Sequence, residues 1–257
     1  DALNFREGPS TDDAVIKTFY KNEELQVINR SSDDDWLLVN NNNVSGYVSS
    51  EYTVSVYDKL KEAYPDTKLT SIDVKKVVYA TDNLNIRSMP GTEYGIVETI
   101  NKFVSIRVLD EIDDWYFVMT NEYTFGYVSK QYTEELNGVY VIVDKSVQRL
   151  FLYNDNKLKI STVVTTGKDS TPSDTGKFQI YSKETSRYLI GADYKAWVDY
   201  WMPYNGGEGL HDANWHNIFG TESYKIYGSH GCVNLLPAIA GDIYNNVSVG
   251  TTVLVHK

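Results

Sequence analysis

The chain has 257 residues, of which 42% are hydrophobic, enough to form the core of one large domain or of two to three small ones. Its 24 basic and 35 acidic residues give a formal net charge of −11, and the excess lies within residues 1–136, which hold 24 acidic and 13 basic residues against 11 of each in the rest. Without a basic stripe for a phosphate backbone, the sequence argues against nucleic-acid binding, and no stretch is apolar enough for a membrane span.

The first half of the sequence repeats itself. Residues 2–28 align with residues 83–109 at an offset of 81, so that Leu3 matches Leu84 and Asn4 matches Asn85. Downstream, the two copies share further marks: Trp36 with Trp115 and the run Gly-Tyr-Val-Ser at 46–49 and 126–129. Each copy of about 50 residues has short alternating runs broken by Gly, Pro, Asn and Asp, which predicts a small barrel of about five strands.

The pattern LN(F/I)R, then a turn, then Trp, then GYVS resembles the bacterial SH3 domain, a small β-barrel found beside cell-wall enzymes. The resemblance covers about residues 2–53 and 80–133, and it implies repeats at 1–54 and 80–136 joined by a linker, 55–79, with a short helix. Cell-wall binding by these repeats is an expectation from the resemblance. For Trp36 and Trp115 we favour a role in a small core over stacking on a ligand.

From residue 137 onward the pattern changes to a second kind of domain. Three alternating or apolar runs between 138 and 164 predict a β-meander, and two more strands are predicted at 177–182 and 251–256. One helix is predicted after Asn234, because Leu236, Ile239, Ala240 and Ile243 share a helical face, with Asn234 as N-cap and Pro237 in the first turn. The sequence thus predicts a mainly β fold.

Cys232 is the single cysteine of the chain and precedes this predicted helix. A thiol two residues before a helix start is close to the positive end of the helix dipole, which favours the thiolate. Gly231 allows a substrate carbonyl to approach the backbone, so the N–H of Cys232 and a neighbouring amide are candidates for an oxyanion hole. The alternative is that the cysteine is a buried filler.

A nucleophilic thiol needs a base, and the chain contains four histidines: His211, His216, His230 and His256. We favour His211 over His230, because His230 is only two residues from the thiol and its side chain is expected to diverge from it. His211, His216, His230 and Cys232 have the ligand types of a zinc site, but no metal-binding spacing supports one, so we expect no metal and no other cofactor.

The spacing around the cysteine resembles the L,D-transpeptidase (YkuD) catalytic domain. His211 is followed by seventeen residues and then by SHGCVN, residues 229–234. Upstream, TPSDTGKF at 171–178 and YWMPYNGGEGLHDA at 200–213 are also similar to that family. The resemblance spans about 138–257 and implies a β-rich catalytic domain at 137–257.

The resemblance implies a role for each matching residue. Cys232 becomes the nucleophile, His211 its base, and the backbone carbonyl of Asp212 the group that orients the imidazole. Ser229, His230 and Gly231 would shape the oxyanion pocket. Family members carry Arg or Asn where this chain has Asn234, so Asn234 is a candidate either for stem-peptide contact or for the helix cap.

The implied reaction is acyl transfer between peptidoglycan stem peptides, with release of D-alanine, a cysteine thioester and a 3→3 cross-link. Attack by water on the same thioester would make the protein an L,D-carboxypeptidase instead. Carbapenems are expected covalent inhibitors. From the aromatic cluster around His211, which is able to form a water-excluding flap, Trp201, Met202 and Tyr204 are the best candidates for substrate contact.

Two other classes of function are weighed against this one. A cell-wall binding protein with a degenerate catalytic domain is disfavoured by the intact His211 and Cys232. A papain-like peptidase places Cys before His along the chain, the reverse of the order here. An extracytoplasmic location follows from the resemblance, and since DALNFREG is not a basic and apolar leader, any signal or anchor is expected outside this sequence.

Overall fold

A computed structural model describes residues 2–21, 23–41, 44–191, 194–220 and 222–257. The chain divides into two compact units, Asp1–Ser71 and Ile72–Lys257. Strands dominate both units, which confirms the mainly β fold with SH3-like domains ahead of a β-rich domain. None of the helices in the described part of the chain has the length and apolar character needed to span a membrane.

Within its described residues, the first unit contains one sheet, one α-helix and a short 3₁₀ helix at Ser50–Tyr52. Its elements are β1 (Ala2–Arg6), β2 (Val15–Tyr20), β3 (Gln26–Arg30), β4 (Trp36–Asn41), β5 (Val44–Ser49) and α1 (Val56–Ala63). The antiparallel sheet has the order β2-β1-β5-β4-β3, and its buried core is built from Phe5, Phe19, Leu37, Val39 and Val48. Helix α1, predicted in the linker, starts where the Ser55 hydroxyl accepts a hydrogen bond from the Asp58 N–H at 3.1 Å.

The second repeat has the same strand order with two additions. Its strands are β6 (Lys76–Ala80), β7 (Leu84–Arg87), β8 (Ile96–Ile100), β9 (Ser105–Ile112), β10 (Trp115–Met119), β11 (Phe125–Ser129) and β12 (Thr133–Glu135). The order β12-β6-β9-β10-β11-β7-β8 repeats that of the first unit from β9 to β8. Strand β6 forms from the end of the segment that the sequence suggests as linker, because it pairs with β9.

The glycine of the shared GYVS run is required for the same structural reason in both repeats. A Cβ on Gly46 would lie 2.6 Å from the carbonyl oxygen of Arg6, and one on Gly126 would lie 2.7 Å from that of Arg87. Each glycine therefore lets two strands of its sheet approach closely. Trp36 and Trp115 are half-buried and lie outside the buried core clusters of their repeats, so neither is the core anchor that the sequence favours.

The remainder of the second unit is built on a nine-stranded sheet. Its elements are β13 (Val139–Asp144), β14 (Arg149–Asn154), β15 (Lys157–Thr165), β16 (Gly176–Gln179), β17 (Glu184–Ile190), β18 (Lys195–Asn205), β19 (Glu208–Asp212), α2 (Ser223–Tyr227), β20 (Val233–Leu235), α3 (Pro237–Asn246) and β21 (Thr252–His256). The order is β16-β21-β13-β14-β15-β20-β19-β18-β17. The meander β13–β14–β15 and the two strands near 177 and 252 confirm the predictions made for them.

The core of this sheet is packed on one side by α3. Ala240 and Ile243 of α3 are fully buried against strand residues such as Val164, Leu210 and Val233. Ile239 is partly buried on the same cluster, so the apolar face predicted for this helix is the one that packs. The helix thereby packs on the core-facing side of β19 and β20, the strands next to Cys232.

The second repeat and the nine-stranded sheet share a core. Val77 and Tyr79 from β6 belong to one buried cluster with Tyr140, Tyr153 and Leu254. At its edge, the Asn156 side-chain oxygen accepts hydrogen bonds from the Val77 N–H at 3.1 Å and from the Tyr140 hydroxyl at 2.9 Å. A cut between 136 and 137 would expose this cluster to water, whereas the compact units separate at Ser71.

Candidate active site

Cys232 and His211 are brought together by a parallel strand pair. Cys232 directly precedes β20, which pairs with β19 so that His211 lies opposite Asn234 and Leu210 opposite Val233. Side chains two residues apart on an extended chain point to the same side, and residues paired across strands share a face. Cys232, Asn234 and His211 therefore face the same side of the sheet.

These three side chains line a groove with a volume of about 470 Å³. The groove is bounded by Ser229 and His230 on one stretch of chain and by aromatic side chains on others, namely Tyr194, Trp197, Trp215 and Tyr227. Its size falls within the usual range for a small-molecule or peptide side-chain site. The Cys232 side chain is 8% exposed, so the thiol lies at the bottom of the groove rather than on the surface.

The imidazole of His211 is held in one tautomer. Its Nδ1–H donates a hydrogen bond to the backbone carbonyl of Asp212 at 2.8 Å, which leaves Nε2 unprotonated. Burial lowers the pKa of His211 below its ordinary value of 6.5, so the ring is neutral near pH 7. The Asp212 carboxylate instead accepts backbone N–H bonds from Asp199 at 2.9 Å and Tyr200 at 2.8 Å.

Two tryptophans border the imidazole. Trp201 lies 5.8 Å from the His211 ring between centroids, and Trp215 lies 5.7 Å from it. Trp201 is buried and also packs in a small cluster with Cys232, whereas Trp215 is 48% exposed at the rim of the groove. The ring of His211 is thus shielded from bulk water on the side of Trp201.

The loop before Cys232 is fixed by serine hydroxyls. Ser229 Oγ donates to the carbonyl of Cys232 at 2.6 Å and accepts the N–H of Gly231 at 3.0 Å. Ser173 Oγ donates to the carbonyl of Gly231 at 2.6 Å. Gly231 has a φ of +117°, a region that favours glycine, and its amide is already bonded, so the loop is shaped by Ser229 and Ser173 together.

His230 points to the rim of the groove. Its ring stacks on Tyr194 at 5.1 Å between centroids, and its Nε2 lies 3.3 Å from Lys168 Nζ. The side chain is exposed. This position is consistent with the expected divergence of His230 from the thiol, two residues further along the chain.

The prediction that Cys232 is a thiolate is wrong for the protein without substrate. The helix after the cysteine begins at Pro237, with Leu236 as its N-cap, and β20 separates it from the thiol. A helix dipole acts within about one turn, so it does not reach Cys232. Burial, together with the neighbouring Glu208 carboxylate, raises the pKa of the thiol to about 11, although a hydrogen bond with the backbone of Gly209 acts in the opposite direction.

Asn234 is a strand residue and not a helix cap. It lies in β20, between Thr165 of β15 and His211 of β19. Its Nδ2 donates a hydrogen bond to His216 Nε2 at 3.3 Å, while its buried Oδ1 has no hydrogen-bond partner within the described ranges. The helix-cap role is therefore wrong.

A family model for the L,D-transpeptidase (YkuD) catalytic domain matches residues 138–255, and one for the bacterial SH3 domain matches residues 1–54 and 82–134. The solved catalytic domain of the Enterococcus faecium L,D-transpeptidase is 35% identical over 47% of this chain and 98% of that chain, with a TM-score of 0.45. The same domain acylated by ertapenem is 34% identical over 48% of this chain and 100% of that chain, with a TM-score of 0.45. The chain belongs to the L,D-transpeptidase family.

One curated protein also matches part of the chain. It is YrvJ of Bacillus subtilis (strain 168), named as an N-acetylmuramoyl-L-alanine amidase, with 25% identity over 130 residues. The match covers 51% of this chain and 24% of that protein, so the chain spans about a quarter of the length of this curated relative.

The aromatic candidates for substrate contact divide between the two faces of β18. Met202 and Tyr204, two residues apart, both point into the buried core and do not line the groove. Trp201 points the other way and packs beside Cys232. The groove is lined instead by Trp197 and Trp215, which belong to the same aromatic cluster of the sequence.

Sequence reasoning missed two residues next to the thiol. Ser173 lies in the TPSDTGKF stretch, and its hydroxyl holds the loop before Cys232, a contact that the sequence pattern does not indicate. Glu208 contacts Gly231 closely enough that a Cβ there would lie 2.7 Å from its Oε1. The signal for Glu208 is a single carboxylate inside a glycine-rich stretch three residues before His211.

Proposed function

We propose that the protein is a peptidoglycan L,D-transpeptidase that forms 3→3 cross-links between stem peptides. The observation that carries the proposal is the shared groove of Cys232 and His211, in which the Asp212 carbonyl fixes the imidazole tautomer. A thiol beside a neutral, oriented imidazole is the arrangement required for nucleophilic acyl transfer. Family membership supports the same reaction class.

Acylation begins from a neutral pair. Because the thiol pKa is raised to about 11 and that of His211 is lowered, neither group is ionised near pH 7. The Cys232 proton passes to Nε2 of His211 as sulfur attacks the carbonyl between residues three and four of the donor stem. The C–N bond then breaks, and His211 returns the proton to the departing amine of D-alanine, which leaves a thioester.

The fate of the thioester separates the two candidate activities. A side-chain amine of a second stem gives the cross-link, whereas water gives an L,D-carboxypeptidase product. Trp197 and Trp215 expose aromatic surface at the rim of the groove. An acceptor peptide that covers this surface displaces water from the groove, which favours attack by the amine over hydrolysis. Cross-linking is the activity we propose, with trimming as its competing outcome.

Covalent capture by a carbapenem tests this proposal. Ertapenem acylates the Enterococcus faecium domain, and we expect it to add one equivalent to the intact protein here. After digestion with trypsin, the added mass should appear on the peptide 226–257, which holds the only cysteine. Intact-mass and peptide mass spectrometry check this expectation.

The control for this experiment is Cys232→Ala, which should give no adduct. An adduct on another peptide, or one that persists in Cys232→Ala, would show that the thiol is not the acylated group. The same samples incubated with a disaccharide tetrapeptide should release D-alanine and form a dimer, and ertapenem should block both.

We further propose that the SH3-like repeats tether the enzyme to the cell wall and that the protein acts outside the cytoplasmic membrane. The first unit, Asp1–Ser71, is compact by itself and exposes Tyr52 and Val54 at 70% and 67%. Sedimentation with insoluble peptidoglycan should pellet a larger share of the full chain than of a 72–257 fragment, which keeps only the second repeat. Equal pelleting of both proteins would contradict the tether proposal for the first repeat.

A further inference from the structure

Lys168 is anchored by its backbone to the loop that precedes Cys232. Its N–H donates a hydrogen bond to the carbonyl of Ser229 at 3.1 Å, and the N–H of Ser229 donates to the carbonyl of Thr166 at 3.1 Å. The two stretches of chain are in close contact, since a Cβ on Gly228 would lie 2.7 Å from the Cα of Lys168. Because Gly228 and Ser229 line the groove that holds Cys232, the Lys168 side chain begins beside that groove.

The ammonium group of Lys168 is held at the rim of the groove by His230. Its Nζ lies 3.3 Å from Nε2 of the imidazole, and the imidazole stacks on the ring of Tyr194 with 11° between the two planes. An ammonium group has three N–H donors and no acceptor, so Nε2 is the acceptor and the imidazole is neutral in this contact. One N–H is used by His230, and two remain for a ligand.

The charged side chains at the groove are cationic. Lys195 lines the groove and Lys168 adjoins it through His230, whereas the described residues of the lining include no carboxylate and no guanidinium group. Within the described ranges, Lys168 also forms no ion pair with an acidic side chain. The rim of the groove is therefore positive in a chain whose formal net charge is −11, and it suits an anionic group of the substrate.

On the basis of the proposed function, we propose that the Lys168 ammonium binds the terminal carboxylate of the donor stem, on the D-alanine that is released. This carboxylate belongs to the residue directly after the scissile bond, so its binding site must lie within about two residue lengths of the sulfur, ~7 Å of extended chain. His230, which holds the ammonium, is two residues from Cys232. Lys168 thereby selects stems that end at residue four over longer stems, in which residue four continues as a neutral amide.

The contact acts on donor binding and not on the chemical step. The carboxylate makes and breaks no bond during acylation, and it leaves with D-alanine in the same charge state in which it arrived. An interaction that is equally strong in the ground state and in the transition state lowers KM and leaves kcat unchanged. Because His230 is exposed at the rim, the attraction between ammonium and carboxylate is also weakened by salt.

Two donors that differ only at the terminal group test the role of Lys168. One is a disaccharide tetrapeptide that ends in D-alanine, and the other is the same molecule ending in D-alaninamide. The wild type should show a KM about tenfold lower for the carboxylate donor, and Lys168→Met should raise that KM about tenfold, as expected when a hydrogen bond between charged groups is lost. The kcat for both donors and the KM for the amide donor should stay within about twofold of wild type. Initial release of D-alanine or D-alaninamide, followed by mass spectrometry, gives these values.

Two further variants complete the experiment. Lys168→Arg keeps a cation at the rim and should retain most of the preference for the carboxylate donor, while Lys195→Met removes the other lysine of the groove and should leave the preference unchanged. Equal KM values for the two donors in the wild type, a wild-type preference in Lys168→Met, or its loss in Lys195→Met would overturn this inference alone, since both donors still turn over. Absence of release from either donor by the wild type would overturn the proposed function with it.

Discussion

Replacing Cys232 by alanine is expected to reduce D-alanine release from a tetrapeptide donor by about 10⁴-fold or more, a loss typical of removing the nucleophile from such a site. The chain has no other cysteine that could act instead. The measurement is initial D-alanine release under saturating donor, with dimer formation followed by mass spectrometry. Both signals should fall together, because both depend on the same thioester.

Serine at this position provides the matched comparison. Cys232→Ser keeps the size of the side chain, and Cys232 belongs to a small buried cluster with Leu189, Val198 and Trp201, so both variants should fold. Near-UV circular dichroism should be close to wild type for each. Retention of more than about 1% of the wild-type rate by Cys232→Ala would contradict a role for sulfur as nucleophile.

The buried, protonated thiol also explains how such a residue is kept from unselective reaction. Its pKa of about 11 leaves little thiolate near neutral pH. Reaction then depends on a bound carbonyl and on proton transfer to His211 in the same step. Substrate binding, rather than standing ionisation of the sulfur, controls when the nucleophile is active.

The pairing of Cys232 with His211 follows from sequence because two local signals agree. The run SHGCVN and the spacing of seventeen residues mark one family, and the parallel pairing of β19 with β20 gives that spacing its geometry. The repeated GYVS runs likewise predict the two SH3-like sheets, since Gly46 and Gly126 each allow a close strand contact in their own repeat. In these places the local pattern and the tertiary contacts require the same residues.

Asn234 shows where local reasoning fails. An Asn three residues before a Pro within an apolar helical pattern reads as an N-cap, but Asn234 pairs on one side with Thr165 and on the other with His211. Those partners are distant in sequence, so the strand they form is invisible to capping rules. The helix consequently begins at Pro237, and the thiol is not next to its dipole.

Sequence-based prediction misses the position of Glu208 and the first strand of the second repeat for a related reason. Glu208 acquires its meaning from contact with Gly231, and β6 becomes a strand because β9 is beside it. Neither contact leaves a periodic mark in the residues themselves. The shared core of Val77, Tyr79 and Tyr140 likewise joins segments that composition assigns to separate domains.

Substitution of His211 by alanine should lower the acylation rate by about 10²- to 10⁴-fold, the usual contribution of a positioned base. The pH dependence distinguishes this role from a structural one. In the wild type, burial holds the pKa of His211 below 6.5, so the base stays unprotonated as pH falls from 8 to 6.5, and the rate should decline only below that value. In His211→Ala the rate should instead rise about tenfold per pH unit toward the thiol pKa of about 11, because solvent must then ionise the sulfur.

His230 supplies the control for this assignment, since it is the other histidine that the sequence offers as base near the thiol. It lies exposed at the rim, stacked on Tyr194, and its replacement by alanine should cost less than about tenfold and leave the pH profile unchanged. A wild-type inflection above pH 6.5, or an equal loss in His230→Ala, would show that the proton leaves the sulfur by another route. The orientation of His211 by the Asp212 carbonyl, rather than its distance along the chain, is what makes it the stronger candidate.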